Sequence, residues 1–530
     1  MSSDSYREKT LPEVVEAAAE RYGSAPYITD GDVELSFSGL NEARLQAARA
    51  FCAAGIEAGE RISIWAPNIY QWVIAATGAQ SIGAVLVPLS TRMKGTEAAY
   101  QLQASGARLL FTVTDFVGVN YPQLLADQDL PDLERIILFE GEAANCQSWD
   151  AFLASGESVE LADVARRQAA LSPQSTLDIM FTSGTTGKPK GVVTSHGQNI
   201  RVFETWSQTV GLRHDDNYLV INPFFHSFGY KAGWLAAIIS GAHIFPVRTF
   251  DLDDVLAQIG RDRITMIPGP PTIYHSLLAH PNRGDYDLSS LRLAVTGAAA
   301  VPVELINKMR SELGFASVVT AYGLTESCGA VSICRADDDP ETISTTSGAA
   351  MPGVELKCVD GKSSEGREIE RGEPGEIWFR GYNVMQGYFN NPEETANTIT
   401  ADGWLKTGDI GVMNERGYIR ITDRIKDMFI VGGFNCYPAE IENMLCSMNG
   451  VAQAAVIGVP DERMGEVPRA YIIPSAETQI DEAQVIAWAR DTMSNYKVPR
   501  SVCFVAALPL NASGKVLKPE LRRRAAEELG

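Results

Sequence analysis

Along the first 345 residues, short β-branched runs alternate with stretches of helical periodicity. The first helix is signposted: Thr10 and Glu13 form a capping box ahead of Val14, Val15 and Ala18, and Gly23 stops it. A second helix is predicted over about Ser38–Ala54. The strands predicted next are Ile62–Trp65, Ala84–Pro88, Leu109–Val113, Arg135–Phe139, Tyr218–Asn222, His243–Pro246, Met266–Pro268, Leu293–Thr296 and Val318–Ala321. Such alternation argues for parallel sheets covered by helices, with ligands held beyond the carboxyl ends of the strands. Residues Tyr70–Leu89 carry no formal charge over a membrane-length span. They include Gln71, Gly78, Gln80, Ser81 and Gly83, so they read as an amphipathic helix, a break and a strand rather than a membrane span.

The texture changes after about residue 345. Asp360–Glu376 is rich in glycine and charge and reads as a hairpin connection. Glu376–Arg380, Gly411–Met413 and Tyr418–Thr422 read as short strands of a β-rich subdomain. A further unit is predicted from about residue 425, with helices at Pro438–Ser447 and Glu482–Met493 and strands at Ala454–Gly458, Ala470–Ile473 and Val502–Val505. The expected division is therefore residues 1–424 and 425–530. The fold class is α/β: a large N-terminal domain of parallel-rich sheets flanked by helices, the β-rich subdomain, and a small α+β C-terminal domain. Arg522–Arg524 reads as the solvated face of a closing helix.

Composition narrows the function. The chain has 530 residues, 45% apolar and 21% charged, enough for a large core in more than one domain. Its formal net charge of −21 repels phosphate backbones, so no nucleic-acid partner is expected. An anionic ligand must then be held by a few local cations and backbone amides. The eight cysteines form no CxxC pair and suit neither a disulfide framework nor a zinc site, which fits a reducing cytoplasm. Residues Met1–Lys9 are polar, and no signal peptide is expected.

Four segments carry candidate chemistry. Thr182-Ser-Gly-Thr-Thr-Gly-Lys-Pro-Lys-Gly191 follows the apolar run Ile179–Phe181. Its glycines let backbone approach an anion, while Ser183, Thr185 and Thr186 offer hydroxyls and Lys188 and Lys190 offer charge. It is not a GxxxxGK[ST] loop, because no glycine stands five residues before Gly187 and Pro189 follows Lys188. Thr320-Ala-Tyr-Gly-Leu-Thr-Glu-Ser327 sets an aromatic, a glycine, a hydroxyl and a carboxylate close together, suited to a base, a phosphate and a hard cation. Gly403-Trp-Leu-Lys-Thr-Gly-Asp409 places an acid after a turn, where it suits ribose hydroxyls. Leu510-Asn-Ala-Ser-Gly-Lys515 is a polar loop with one lysine. Taken singly, each also reads as an ordinary loop, junction, charged turn or surface lysine.

Together, in this order, the segments resemble the AMP-forming adenylating enzymes: acyl-CoA synthetases, peptide-synthetase adenylation domains and firefly luciferase. The likeness spans nearly the whole chain, and includes Asp423–Lys426 and Gly432–Glu440. It implies a mobile C-terminal lid that changes orientation between two half-reactions, and ATP, Mg²⁺ and coenzyme A as cofactors. On this resemblance Thr182, Ser183, Gly184, Thr185, Thr186, Gly187, Lys188 and Lys190 hold the β- and γ-phosphates. Gly297, Ala298 and Ala299 wall the adenine, Tyr322 stacks on it, and Gly323 adjoins the nucleotide. Thr325 touches the α-phosphate and Glu326 binds the metal. Asp409 and Arg424 hold the ribose, and Lys426 is the hinge. Lys515 reaches the substrate carboxylate and the α-phosphate. Gly432, Gly433 and Phe434 line the pantetheine tunnel.

The resemblance also places the acyl pocket at Phe225, Tyr230, Lys231 and Val295, with Phe228 and Trp234 as apolar wall and His226 gating the carboxylate end. His226 also reads as a buried packing histidine. Tyr230 and Lys231 are expected to address a keto group. The runs Asn222–Gly233 and Val295–Pro302 are similar to ligases of the indane-dione propanoate left from steroid rings C and D, 3-(7a-methyl-1,5-dioxo-octahydroinden-4-yl)propanoate (HIP). Medium-chain, cyclic and aryl acids such as succinylbenzoate remain alternatives, as does a stand-alone adenylation enzyme that loads a carrier protein. Other readings are a luciferase-like oxygenase and a non-catalytic sensor. About fifteen residues follow Lys515, too few for a carrier domain. The expected partners are a small carboxylic acid, ATP and CoA, with no integral membrane span; the resemblance is compatible with a homodimer and with a cytoplasmic enzyme of lipid and steroid degradation.

Overall fold

In the computed structural model the described residues are 5–182, 189–297, 301–360, 366–424, 427–431, 434–461, 464–475, 480–493, 495–510 and 515–529. The chain divides into two compact units, Met1–Glu355 with Arg380–Leu405, and Leu356–Phe379 with Lys406–Gly530.

The first unit holds two large sheets. One runs, edge to edge, through Ala349–Ala350, Ser332–Ile333, Ser317–Tyr322, Leu293–Thr296, Met266–Gly269, Asn217–Val220, His243–Pro246, Pro26–Asp30 and Val33–Ser36. Its interior pairs are parallel, and short antiparallel strands close both edges. The other runs through Gly387–Tyr388, Lys190–Ser195, Thr176–Thr182, Val85–Pro88, Arg61–Trp65, Ala107–Val113, Arg135–Glu140 and Cys146–Ser148. It is parallel except at Thr176–Thr182, Lys190–Ser195 and Gly387–Tyr388, which form an antiparallel end. The antiparallel hairpin across the glycine-rich segment is absent from the sequence expectation, because strand periodicity does not reveal direction.

The first helix, Leu11–Tyr22, has the expected capping box, with the Thr10 N–H donating to Glu13 Oε2 at 2.6 Å, and Gly23 follows it in a positive-φ conformation. Tyr70–Ser81 departs from expectation. It is a helix, but Gln71 through Ser81 are all buried, so it has no solvated face. It packs on the helix Phe37–Ala53 so closely that a Cβ on Gly78 would lie 2.6 Å from Ala47 Cβ. Some of its polar groups find internal partners, while Gln71 Oε1, Trp72 Nε1 and Gln80 Oε1 are buried without one. Gln80 Nε2 donates to Leu177 O and Tyr230 Oη, and Ser81 Oγ accepts from the buried Arg44 guanidinium at 2.8 Å. No described helix is long and apolar enough to cross a membrane.

A four-stranded sheet follows in the order Val354–Val359, Pro374–Gly381, Leu405–Met413, Ile419–Arg424. The C-terminal sheet comprises Phe434–Cys436, Phe429–Val431, Gly465–Pro474 and Val451–Asp461, with Ser501–Phe504 parallel to Gly465–Pro474. Period-two alternation gives it two apolar faces. Val456, Ala470 and Ile472 pack with Ile441, Leu445 and Val485 on one side; Ala455, Ile457 and Tyr471 pack with Leu521 and Ala525 on the other. The closing helix Lys518–Leu529 has the expected charged face, where Arg523 pairs with Glu520 and Glu527.

Candidate active site

The strand Thr176–Thr182 and its antiparallel partner Lys190–Ser195 frame the glycine-rich segment. Thr182 and Lys190 are cross-strand neighbours at its base, and Thr182 Oγ1 lies 3.4 Å from Lys190 O. Ser183, Gly184, Thr185, Thr186, Gly187 and Lys188 lie outside the described residues. Lys190 Nζ pairs with Glu394 Oε1 at 2.6 Å and sits 4.4 Å from the centroid of the Tyr388 ring. The Tyr388 hydroxyl in turn donates to Glu326 Oε1 at 2.9 Å. Burial, together with the Glu326 charge, raises the Tyr388 phenol well above its usual range. One aromatic residue thus links the cation at the end of the glycine-rich segment to the proposed metal carboxylate. Sequence reasoning missed Tyr388 and Glu394, because no local pattern marks partners 62 and 204 residues apart.

Glu326 sits in the single 3₁₀ turn Thr325–Ser327, directly after the strand Ser317–Tyr322. The turn is fastened by Leu324 N–H to Ser327 Oγ at 2.9 Å and by Met385 N–H to Glu326 O at 2.9 Å. Two residues on, Cys328 is fully buried with φ of 57°, a left-handed conformation uncommon outside glycine, and burial pushes its thiol up to about 12. Gly323 is required by close approach: a Cβ there would lie 2.1 Å from Gly329 O. Tyr322 and Thr325 are half-buried beside this turn. Gly297 ends the neighbouring strand region, and its missing Cβ would lie 3.2 Å from Ala321 O; Ala298 and Ala299 lie outside the described residues.

Among the described residues no cluster of three or more His, Cys, Asp or Glu side chains is placed to hold a metal. That fits Mg²⁺, which is usually bound through one or two carboxylates plus substrate phosphates and water rather than by an all-protein cage. Glu326, half-buried and facing a hydroxyl donor, is the carboxylate that would hold it.

In the second unit Asp409 and Arg424 are directly paired across antiparallel strands, so the structure brings together the two residues expected at the ribose. Asp409 is buried; its N–H donates to Thr407 Oγ1 at 3.0 Å, and Gly408 precedes it at φ of 70°. Lys515 is exposed, next to the bridge Leu510↔Val516. Lys426, Gly432 and Gly433 lie outside the described residues; Phe434 begins a strand paired to Phe429–Val431.

The proposed acyl residues separate. Phe225 is half-buried and His226 is exposed, accepting from the Phe228 N–H through Nδ1 at 3.2 Å, so His226 is not a buried packing histidine. Val295 is buried in a parallel strand. Tyr230 and Lys231, expected to face a keto group, are fully enclosed instead. Tyr230 stacks on Trp234 with ring centroids 4.6 Å apart, and Lys231 is paired with Asp178. The reason is local: the segment Tyr230–Leu235 is a π-helical turn buried at every residue, which carries both side chains into the core.

The fold is that of the adenylate-forming enzymes. Residues 15–389 match the AMP-binding enzyme family and residues 440–515 its C-terminal domain; the chain belongs to that family. More particularly, it is an AMP-forming acyl-CoA ligase, an acid–thiol ligase that uses ATP, Mg²⁺ and coenzyme A. It is 47% identical, over 97% of this chain and 98% of the relative, to the 3-[(3aS,4S,7aS)-7a-methyl-1,5-dioxo-octahydro-1H-inden-4-yl]propanoyl:CoA ligase of Rhodococcus jostii (strain RHA1). The Mycobacterium tuberculosis ligase of the same name is also 47% identical, with the same coverage. The rat mitochondrial medium-chain acyl-CoA ligase ACSF2 is 31% identical over 98% of this chain and 88% of the relative. Among solved structures, the anthranilate CoA ligase AuaEII with anthranoyl-AMP superposes with a TM-score of 0.84 at 27% identity, covering 99% of both chains. The Bacillus subtilis o-succinylbenzoate coenzyme A synthetase with ATP and magnesium gives 0.82 at 28%, covering 97% of this chain and 99% of the other.

Proposed function

We propose that this ligase activates HIP, the bicyclic indane-dione propanoate of steroid ring C and D breakdown, in the cytoplasm. The observation that carries the reading is the full-length 47% identity to two ligases named for that acyl group, against 31% to a medium-chain ligase. Phe225, half-buried, and His226, exposed, are the residues this reading assigns to the carboxylate end.

A carboxylate is a weak nucleophile, and its attack on the α-phosphate brings two anions together. The chain's own contribution is to offset that charge where it develops. Lys190 and the glycine-rich segment serve the β- and γ-phosphates, Thr325 the α-phosphate, and Lys515 both the α-phosphate and the acid. When bound at Glu326, Mg²⁺ supplies charge neutralisation of the phosphates. Asp409 and Arg424 serve the ribose. In the second half-reaction residues 425–530 act as a lid, and Gly432 and Gly433 admit the pantetheine arm.

The test is AMP release by the purified enzyme, with CoA, across fatty, aryl and bicyclic steroid-derived propanoates. The indane-dione acid is expected to give the highest kcat/KM. Turnover confined to fatty or aryl acids would reject it as the substrate.

A further inference from the structure

Lys231 and Asp178 form a fully enclosed ion pair, each with no side-chain exposure, and neither has a role in the chemistry described so far. Lys231 Nζ donates to Asp178 Oδ1 at 3.2 Å and to Thr194 Oγ1 at 3.1 Å. The Thr194 hydroxyl donates to Asp178 Oδ1 at 2.6 Å and accepts from Asn199 Nδ2 at 2.8 Å. With one donor proton and two lone pairs, that hydroxyl is saturated. Asp178 Oδ2 lies 3.2 Å from Lys231 Nζ as an ion-pair contact.

Its position matters. Asp178 and Thr194 are direct cross-strand partners in the hairpin whose next two same-face steps end at Thr182 and Lys190. Because side chains alternate along a strand, Asp178 and Thr182 share a face, four residues or about 13 Å apart. Lys231 comes from the π-helical turn that follows Phe225 and His226, and π-helical turns are rare and concentrated at functional sites. The metal-side turn reaches the same place: Cys328, two residues past Glu326, lies in the field of both charges, and a Cβ on Gly329 would touch Ser227 at 3.3 Å. Three segments, phosphate-side, acyl-side and metal-side, meet at one buried pair.

Packing alone does not account for it. Taking both charges out of water is expensive, and well-packed apolar residues of similar volume commonly do as well or better. What an ion pair adds is direction. We propose that Lys231, through Asp178 and Thr194, is a positioning residue that holds the acyl-side turn in register with the phosphate-binding hairpin, so that the acid meets the α-phosphate correctly aligned. The proposal rests on the assignment of Thr182–Lys190 to the phosphates.

The experiment is carboxylate-dependent ATP–pyrophosphate exchange with K231M, D178N, the double variant K231M/D178N, and T194V, each with its melting temperature. The single charge variants are expected to melt well below wild type, since each leaves a lone buried charge. The double variant is expected to recover most of that melting temperature yet lose kcat about tenfold or more, with both KM values within about threefold, as misalignment predicts. T194V keeps both charges and is expected to lose kcat about threefold or more at unchanged KM. A double variant or T194V with wild-type kcat overturns the proposal, and so does a raised KM for the acid at unchanged kcat, which would make Lys231 a substrate contact. If wild type shows no exchange, the adenylation reading falls and this assignment with it. Normal wild-type exchange with an equally active double variant removes this assignment alone.

Discussion

Lys515 is an exposed lysine beside a two-residue bridge, and in the sequence alone it reads as a surface lysine. Its place in an ordered set of segments is what marks it. Replacing it with alanine is expected to cut adenylate formation by about 10²–10³, the scale of one lost electrostatic donor, while a supplied acyl-adenylate is still converted to thioester. Stopped-flow or exchange measurements of the two half-reactions check this; full ATP-dependent turnover would remove the lysine from its role. His196 is the opposite case, fully buried, with Nδ1 accepting from the Leu11 N–H at 3.0 Å. Burial lowers its imidazole to about 3, from an ordinary value near 6.5. The folded state keeps it neutral, whereas the unfolded chain binds a proton below 6.5. Its contribution is therefore present above pH 6.5 and is lost as pH falls toward 3, at up to about 1.4 kcal/mol per unit. Urea unfolding from pH 7.5 to 4.5 should show a steeper acid loss for wild type than for His196→Asn; parallel curves would refute it.

At the scale of elements, the 3₁₀ turn carrying Glu326 is fixed by close backbone approach as well as by the Ser327 side chain. Gly323→Ala would drive a methyl into Gly329 O, so the turn must shift. The expected result is a stability loss of about 1–3 kcal/mol, with adenylation falling at least as steeply, read by melting temperature and pyrophosphate exchange. An unperturbed alanine variant would show that the turn tolerates movement. The helix Tyr70–Ser81 teaches a related lesson. Its Gln and Ser residues looked like a polar face in the sequence, yet all are buried, with Gln80 Nε2 and Ser81 Oγ hydrogen-bonded inside the fold, so polarity did not mean exposure. The longer apolar strands, by contrast, were legible, whereas short or edge strands such as Pro26–Asp30, Lys190–Ser195 and Gly387–Tyr388 were not read. β-branched runs such as Leu293–Thr296 have few alternatives to a buried strand.

On the scale of the whole molecule, the prediction concerns the separation of two chemistries. Gly433→Leu is expected to form adenylate at a near-normal rate and to stall at thioester formation, because a narrow thiol arm needs the space a glycine leaves. Single-turnover assays with and without CoA distinguish this from an equal loss of both steps, which would count against the tunnel. The net charge of −21 belongs to this scale too: anionic substrates must be held by local groups against a repulsive average field.

The amino-acid order alone determined the class of fold and the succession of chemical segments. Glycine spacing, hydroxyls, carboxylates and lysines are local signals, and their order along the chain survives without coordinates. Only the tertiary structure decided which side chains meet. Tyr388 joins Glu326 to Lys190, Lys231 turns inward to Asp178, and the backbones of Asp409 and Arg424 are paired on adjacent antiparallel strands. Those contacts depend on strand direction and on a π-helical turn, neither of which the periodicity of residue types specifies.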